Sequence, residues 1–236
     1  MEAFYEIARG PLFRLSFAVM VLGLVRHILL SVFGMSQALS RAVSPVKPFQ
    51  APFSKLVRNA LSWIFPITKF KQRTVQSLIS ISFHIGLIII PLFLAAHIQL
   101  FRSGFGIGWS AINQEIADWL TLLVVLTGMI LFILRLADKN IRSLSRPQDF
   151  LLPVLIAVTF LSGFLAINVN GTPVPYTAMM IIHVMSGNLT IILIPFTKMS
   201  HVVLFPFTQM ASNYAWRFVP EGGENVLKSL GKEGRV

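Results

Sequence analysis

The fold class this sequence predicts is an all-α integral membrane protein, a five-transmembrane-helix bundle, and three observations predict it. Hydrophobic residues fill 55% of 236 positions and charged residues only 12%. The apolar residues gather in stretches near the ~20 residues a helix needs to cross a bilayer. Those stretches are rich in Phe, Leu and Ile with scattered Pro and Gly, and lack the short alternating strands of a barrel.

The spans read as residues 12–33, 75–100, 116–136, 150–167 and 176–205 of a single membrane domain, 1–236. The first is longer than a signal-peptide core, and no A-x-A-like cleavage pattern separates it from the basic segment that follows, so it is expected to be retained. The second follows that basic segment and contains Pro91. The third is bounded by Glu115 and Arg135. The fourth leads into an uncharged loop, and the fifth is too long for one crossing and must leave the membrane or tilt.

Net charge is +11, and its placement along the chain argues for membrane topology over nucleic-acid binding. Arg41, Lys47, Lys55, Arg58, Lys69, Lys71 and Arg73 lie between spans one and two with no acidic residue among them. The next loop has Arg102 and Glu115, and the one after span three has Arg135, Lys139, Arg142 and Arg146. Lys198, Arg217, Lys228, Lys232 and Arg235 follow in the last span's end and the tail. Basic residues thus alternate sides, which predicts an N-terminus outside and a C-terminus in the cytoplasm of an inner membrane. Part of the charge is available to anionic lipid.

The chain has no cysteine. Disulfides, thioether-attached haem and Cys-ligated iron–sulfur clusters are therefore excluded from it. With no soluble domain to host a substrate pocket, any electron transfer through this chain needs a partner subunit.

All five histidines, His27, His84, His97, His183 and His201, lie in or at the edges of apolar stretches. An ionisable group inside a membrane usually faces protein and binds something, and for histidine that is commonly a metal. Spans two and five run antiparallel, so His97 matches His183 in depth and His84 matches His201. Two haems, each held by an axial imidazole on either face, need this arrangement. From His183 to His201 is 18 residues, five turns of ~3.6 residues, which puts both rings on one helix face about 27 Å apart. From His84 to His97 is 13 residues, which on an ideal helix leaves the rings about 140° apart in azimuth and ~20 Å apart in rise. Pro91 and Pro195 lie between the members of each pair, and kinks there are expected to reconcile the spacings. His27 lies at about the depth of His84 and His201 with no sixth histidine to partner it, and reads as a hydrogen-bonding residue in preference to a ligand. Arg26 and Lys198 are span-end anchors and candidate partners for the inner haem's propionates. The phenylalanines, Phe83 and Phe93 included, read as core or lipid-facing.

Two motifs carry a family resemblance: Ser82-Phe83-His84-Ile85-Gly86-Leu87 in span two and Ile194-Pro195-Phe196-Thr197-Lys198-Met199-Ser200-His201 at the end of span five. With Leu22-Gly23-Leu24-Val25-Arg26 and Asp149-Phe150-Leu151-Leu152, they resemble the nitrate reductase gamma subunit family, over most of the chain. In that family the histidines of span two stand closer together and the first loop is shorter. The resemblance implies a dihaem cytochrome b of a respiratory oxidoreductase complex, exchanging electrons between a membrane quinone, menaquinone or ubiquinone, and a partner. Related membrane subunits of sulfite-reduction-linked complexes imply an iron–sulfur partner in the cytoplasm or a multihaem cytochrome outside. Quinol oxidation in the family takes place on the outer side, where Gln99, Arg102, Asn113 and Glu115 are the candidate quinone contacts; each is otherwise an ordinary loop residue.

Residues 34–74 are basic and proline-dotted but contain Phe49, Phe53, Leu56, Val57, Leu61, Trp63, Ile64 and Phe65. Part of this segment reads as an interfacial amphipathic helix. It and the tail from Pro206, with Tyr214, Trp216 and Phe218, are candidate docking surfaces for a cytoplasmic redox subunit. Two other classes stay open: a histidine-dependent metal or proton transporter and a cofactor-free anchor. The sequence has neither an internal repeat nor an Asp or Glu at a span centre, features a transporter tends to show.

Overall fold

The computed structural model describes residues 2–41, 74–168, 174–208 and 231. Among them every regular element is helical. In chain order these are α1 (Glu2–Ile7), a π turn (Ala8–Leu12), α2 (Phe13–Arg41), α3 (Thr74–Phe93), α4 (Ala95–Phe105), α5 (Gln114–Ala137), the short α6 (Lys139–Ser143), α7 (Gln148–Asn168) and α8 (Tyr176–Leu193). Two 3-10 turns follow, Ile194–Phe196 and Lys198–Ser200, and residues 201–208 are helical.

Among the described residues five helical stretches are long and apolar enough to cross a membrane: Glu2–Gln37, Thr74–Phe93, Gln114–Ala137, Gln148–Asn168 and Tyr176–Phe196. The chain is thus a multi-pass, membrane-embedded helical protein. Most of the segment 34–74, and Tyr214, Trp216 and Phe218 of the tail, lie outside the described residues.

Two compact units divide the chain, one of Met1–Val21 with Lys69–Lys198 and the other of Leu22–Thr68 with Met199–Val236. In the first, α3 packs on α5, α5 on α7 and α7 on α8, with the π turn against α8. The distribution of side chains fits a lipid solvent. Leu151 and Trp119 are two-thirds exposed, whereas Ser16, Thr121, Thr127, Ser162, Ser186 and Asn188 are buried. Small and hydroxylated residues let helices approach closely where lipid supplies no hydrophobic drive between them. These hydroxyls donate to the carbonyl one turn back: Ser16 to Leu12 at the end of the π turn, Thr121 to Ala117, Thr127 to Leu123, Ser162 to Val158 and Ser186 to Ile182. Asn188 instead donates 2.9 Å to the Ala8 carbonyl in the π turn and pins the N-terminal segment to α8. The tightest seam is at Gly86, where a Cβ would stand 2.4 Å from Val124 Cγ2 and 3.1 Å from the Leu120 carbonyl oxygen.

Spans two and five are not continuous helices. The expected span 75–100 is broken at Leu94, which is extended (φ −70°, ψ 131°). The helix runs through Pro91 and ends two residues later at Phe93, and α4 starts afresh at Ala95. Span five is interrupted in the same way. Pro195 opens a 3-10 turn, and Thr197 beyond it is extended (φ −125°, ψ −178°), so a single helix over 176–205 is replaced by α8, two turns and a further helical segment. Each break falls between two histidines of one span.

Candidate functional site

The break at Leu94 frees carbonyl groups at the end of α3, and each finds a donor. Trp109 Nε1 donates to the Leu92 carbonyl at 2.7 Å, and the Ile112 amide donates to Phe93 at 3.0 Å. The Ile90 carbonyl accepts the Leu94 amide and, at 3.2 Å, Nδ1 of His97. His97 therefore reaches back across the break to the helix it has left. Gly106, in the left-handed region at φ 73°, closes α4, and Phe101 and Phe105 on α4 pack with Phe13 and Phe17 of α2.

Facing His97 is His183 of α8. Their ring centroids are 6.0 Å apart and the ring planes differ by only 5°. His183 Nδ1 donates to the Thr159 carbonyl of α7 at 2.7 Å. A carbonyl oxygen only accepts, so on both rings the proton sits on Nδ1 and the lone pair on Nε2. This is the tautomer of a metal-binding imidazole whose other nitrogen is held by the protein. A metal-bound imidazole nitrogen lies ~2 Å from its metal with the ring centre about 1 Å behind, so two rings gripping one metal from opposite sides have centres about 6 Å apart. The observed separation matches.

The other predicted residues fall in two groups. His84 lies on α3 in the same unit as His97 and His183, with Nδ1 donating 2.7 Å to the Ser80 carbonyl one turn back. His201, His27 and Arg26 belong to the second unit; His201 and Arg26 are exposed and His27 is half-buried. Lys198 pairs through Nζ with Asp149, whose carboxylate also lies 3.8 Å from Arg135 and accepts the Arg146 amide. Among the four quinone candidates, Asn113 is the N-cap of α5, accepting the Glu115 amide at 2.8 Å. Gln99 and Glu115 are exposed, and the Arg102 guanidinium lies over Gly108.

No group of three or more His, Asp or Glu side chains suited to a metal ion occurs among the described residues. A bis-histidine iron takes two protein ligands. Sequence reasoning missed Ile90 and Thr159, whose carbonyls hold the rings, Leu94, where span two breaks, and Gly163, against which the His183 ring lies. Of these only Gly163 left a trace, as an isolated glycine inside a helical pattern, a sign of close packing.

A protein of Nitratidesulfovibrio vulgaris is 31% identical to this chain over 216 residues, which cover 89% of this chain and 93% of that one. No family model and no solved structure matches. The likeness establishes kinship along nearly the whole length and brings no activity with it.

Proposed function

We propose that this chain, which belongs to the same family as the Nitratidesulfovibrio vulgaris protein, is a dihaem cytochrome b subunit of a quinone-linked membrane oxidoreductase. The observation that carries the proposal is the His97–His183 pair: parallel rings 6.0 Å apart, each with its Nδ1 proton held by a backbone carbonyl. A hydrogen-bonding core histidine has no need of a second histidine aligned on it at metal-bridging distance. The donor set fits a b-type haem, which takes neutral imidazoles on both faces and an apolar surround.

In this reading His97 and His183 would hold one haem, toward the outside, and His84, in the same unit, would be a ligand of the second, toward the cytoplasm. Bound there, the iron supplies one-electron transfer. The protein's part is to fix each imidazole as a lone-pair donor and to exclude water. His84, with Nδ1 on Ser80, carries the same tautomer as the first pair and supports the assignment. Arg26 and Lys198 are the candidate propionate contacts; Lys198 Nζ is paired with Asp149, so a propionate there would have to share or displace that carboxylate. Gln99 and Arg102, on the helix that carries His97, are the candidate contacts to a menaquinone or ubiquinone head group.

The basic loops argue for an outer N-terminus and a cytoplasmic C-terminus in the inner membrane. A cytoplasmic iron–sulfur subunit or an outer multihaem cytochrome completes the circuit, and the resemblance to the nitrate reductase gamma subunit family supports that class of partner. The test is a reduced-minus-oxidised spectrum of the purified chain, with a quinol as reductant. Sharp b-type bands that develop with quinol are expected. A folded chain without them overturns the proposal and returns the histidines to a transporter or anchor.

A further inference from the structure

The His183 ring lies against α7 at Gly163. A Cβ placed on Gly163 would stand 2.7 Å from His183 Nδ1, 2.8 Å from Cε1 and 3.4 Å from Cγ. Real Cβ atoms do not come so near, and the imidazole has no flexible end to swing aside. The acceptor for Nδ1, the Thr159 carbonyl, is four residues before Gly163, so it is the oxygen that the turn ending at Gly163 exposes through the missing side chain. A β-carbon there would cover the carbonyl and displace the ring together. The neighbouring glycine of the same seam behaves differently. Gly187, one turn beyond His183 on α8, would place a Cβ 3.8 Å from Thr159 Cγ2, an ordinary contact.

We infer that Gly163 is a positioning residue: its missing side chain opens the Thr159 carbonyl to His183, and this fixes the proton on Nδ1 and leaves the lone pair on Nε2 of the ring that lies parallel to His97. The inference about the tautomer stands on geometry alone. Its consequence for haem rests on the proposed function. His97 reaches the same tautomer by another route, through the Ile90 carbonyl across the break at Leu94, so a change at Gly163 acts on one ring of the pair.

The experiment is nitrogen NMR of the full chain labelled in its histidines, as purified in detergent under reductant, with haem content measured on the same samples. The parent, Gly163→Ala and Gly187→Ala are compared, and the His183 signals are assigned by their loss in His183→Gln. Expected are an Nδ1-protonated His183 in the parent and in Gly187→Ala, and loss of that signal in Gly163→Ala with His97 keeping its Nδ1 proton on the Ile90 carbonyl. Haem content is expected to fall by one equivalent in Gly163→Ala and to hold in Gly187→Ala. A Gly163→Ala chain that keeps both the His183 signal and its haem overturns the inference. So does a parent in which His183 Nδ1 carries no proton, a result that stands even where Gly163→Ala fails to fold. The tautomer pattern without haem in any sample would sink the cytochrome reading and leave the positioning role intact.

Discussion

His84 and His183 each donate a ring N–H to a backbone carbonyl at 2.7 Å, yet the two bonds are made by different parts of the molecule. His84 uses Ser80, one turn back on its own helix, so this bond is made within α3. His183 uses Thr159 on a neighbouring helix, and its ring is right only where α7 and α8 meet at Gly163. His97 is intermediate: it bonds within its own span but across a break that Trp109 and Ile112 stabilise from beyond α4. The lesson is that one chemical state, Nδ1-protonated imidazole, is reached by a local route at one histidine and by tertiary packing at another. The two routes should fail under different substitutions.

The largest expected effect comes from removing a ring. His183→Ala should abolish haem at its own site and leave the His84 tautomer as it was, read by absorbance and histidine NMR on one sample. Next is the α3–α5 seam, on the helix that carries His84. Gly86→Leu puts a side chain where even a Cβ is 2.4 Å from Val124 Cγ2, and overpacking of this kind costs about 1–3 kcal/mol or more. Thermal unfolding in detergent should show it as a clear loss of stability, with His84 keeping its bond to Ser80 in whatever remains folded. Trp109→Phe is milder. It leaves the Leu92 carbonyl without its indole donor, worth ~1 kcal/mol, and should loosen the segment around His97 and not that around His84, as hydrogen exchange would report.

The smallest effect sharpens the comparison most. Thr159→Val removes the hydroxyl that donates to Leu155 but keeps the carbonyl that His183 uses. Stability should change by no more than ~1 kcal/mol and the His183 signal not at all. A loss of that signal would mean the hydroxyl, and not the backbone, orients the ring.

The five crossings were legible because hydropathy is a property of local composition, and the juxtaposition of His97 with His183 followed from matching depth on antiparallel helices. The discontinuities were legible only in part. Pro91 and Pro195 pointed to distortion between the histidines, but the extended residues are Leu94 and Thr197, beyond the prolines. The break at Leu94 is stabilised by Trp109 and Ile112, whose arrival there depends on the path of the chain after α4. Asn188 meeting Ala8 joins residues 180 apart, and nothing in either neighbourhood announces it. Gly163 is similar: its role depends on which face of α8 packs on α7, and helix periodicity does not resolve that when nearly every face is apolar.

The central claim is that the aligned histidines hold haem iron, and haem stoichiometry by pyridine haemochrome on the purified chain, beside His97→Ala, tests it most directly. Two b haems in the parent and one in the variant is the result predicted. A folded parent without haem, or a His97→Ala chain that keeps its full complement, would contradict it.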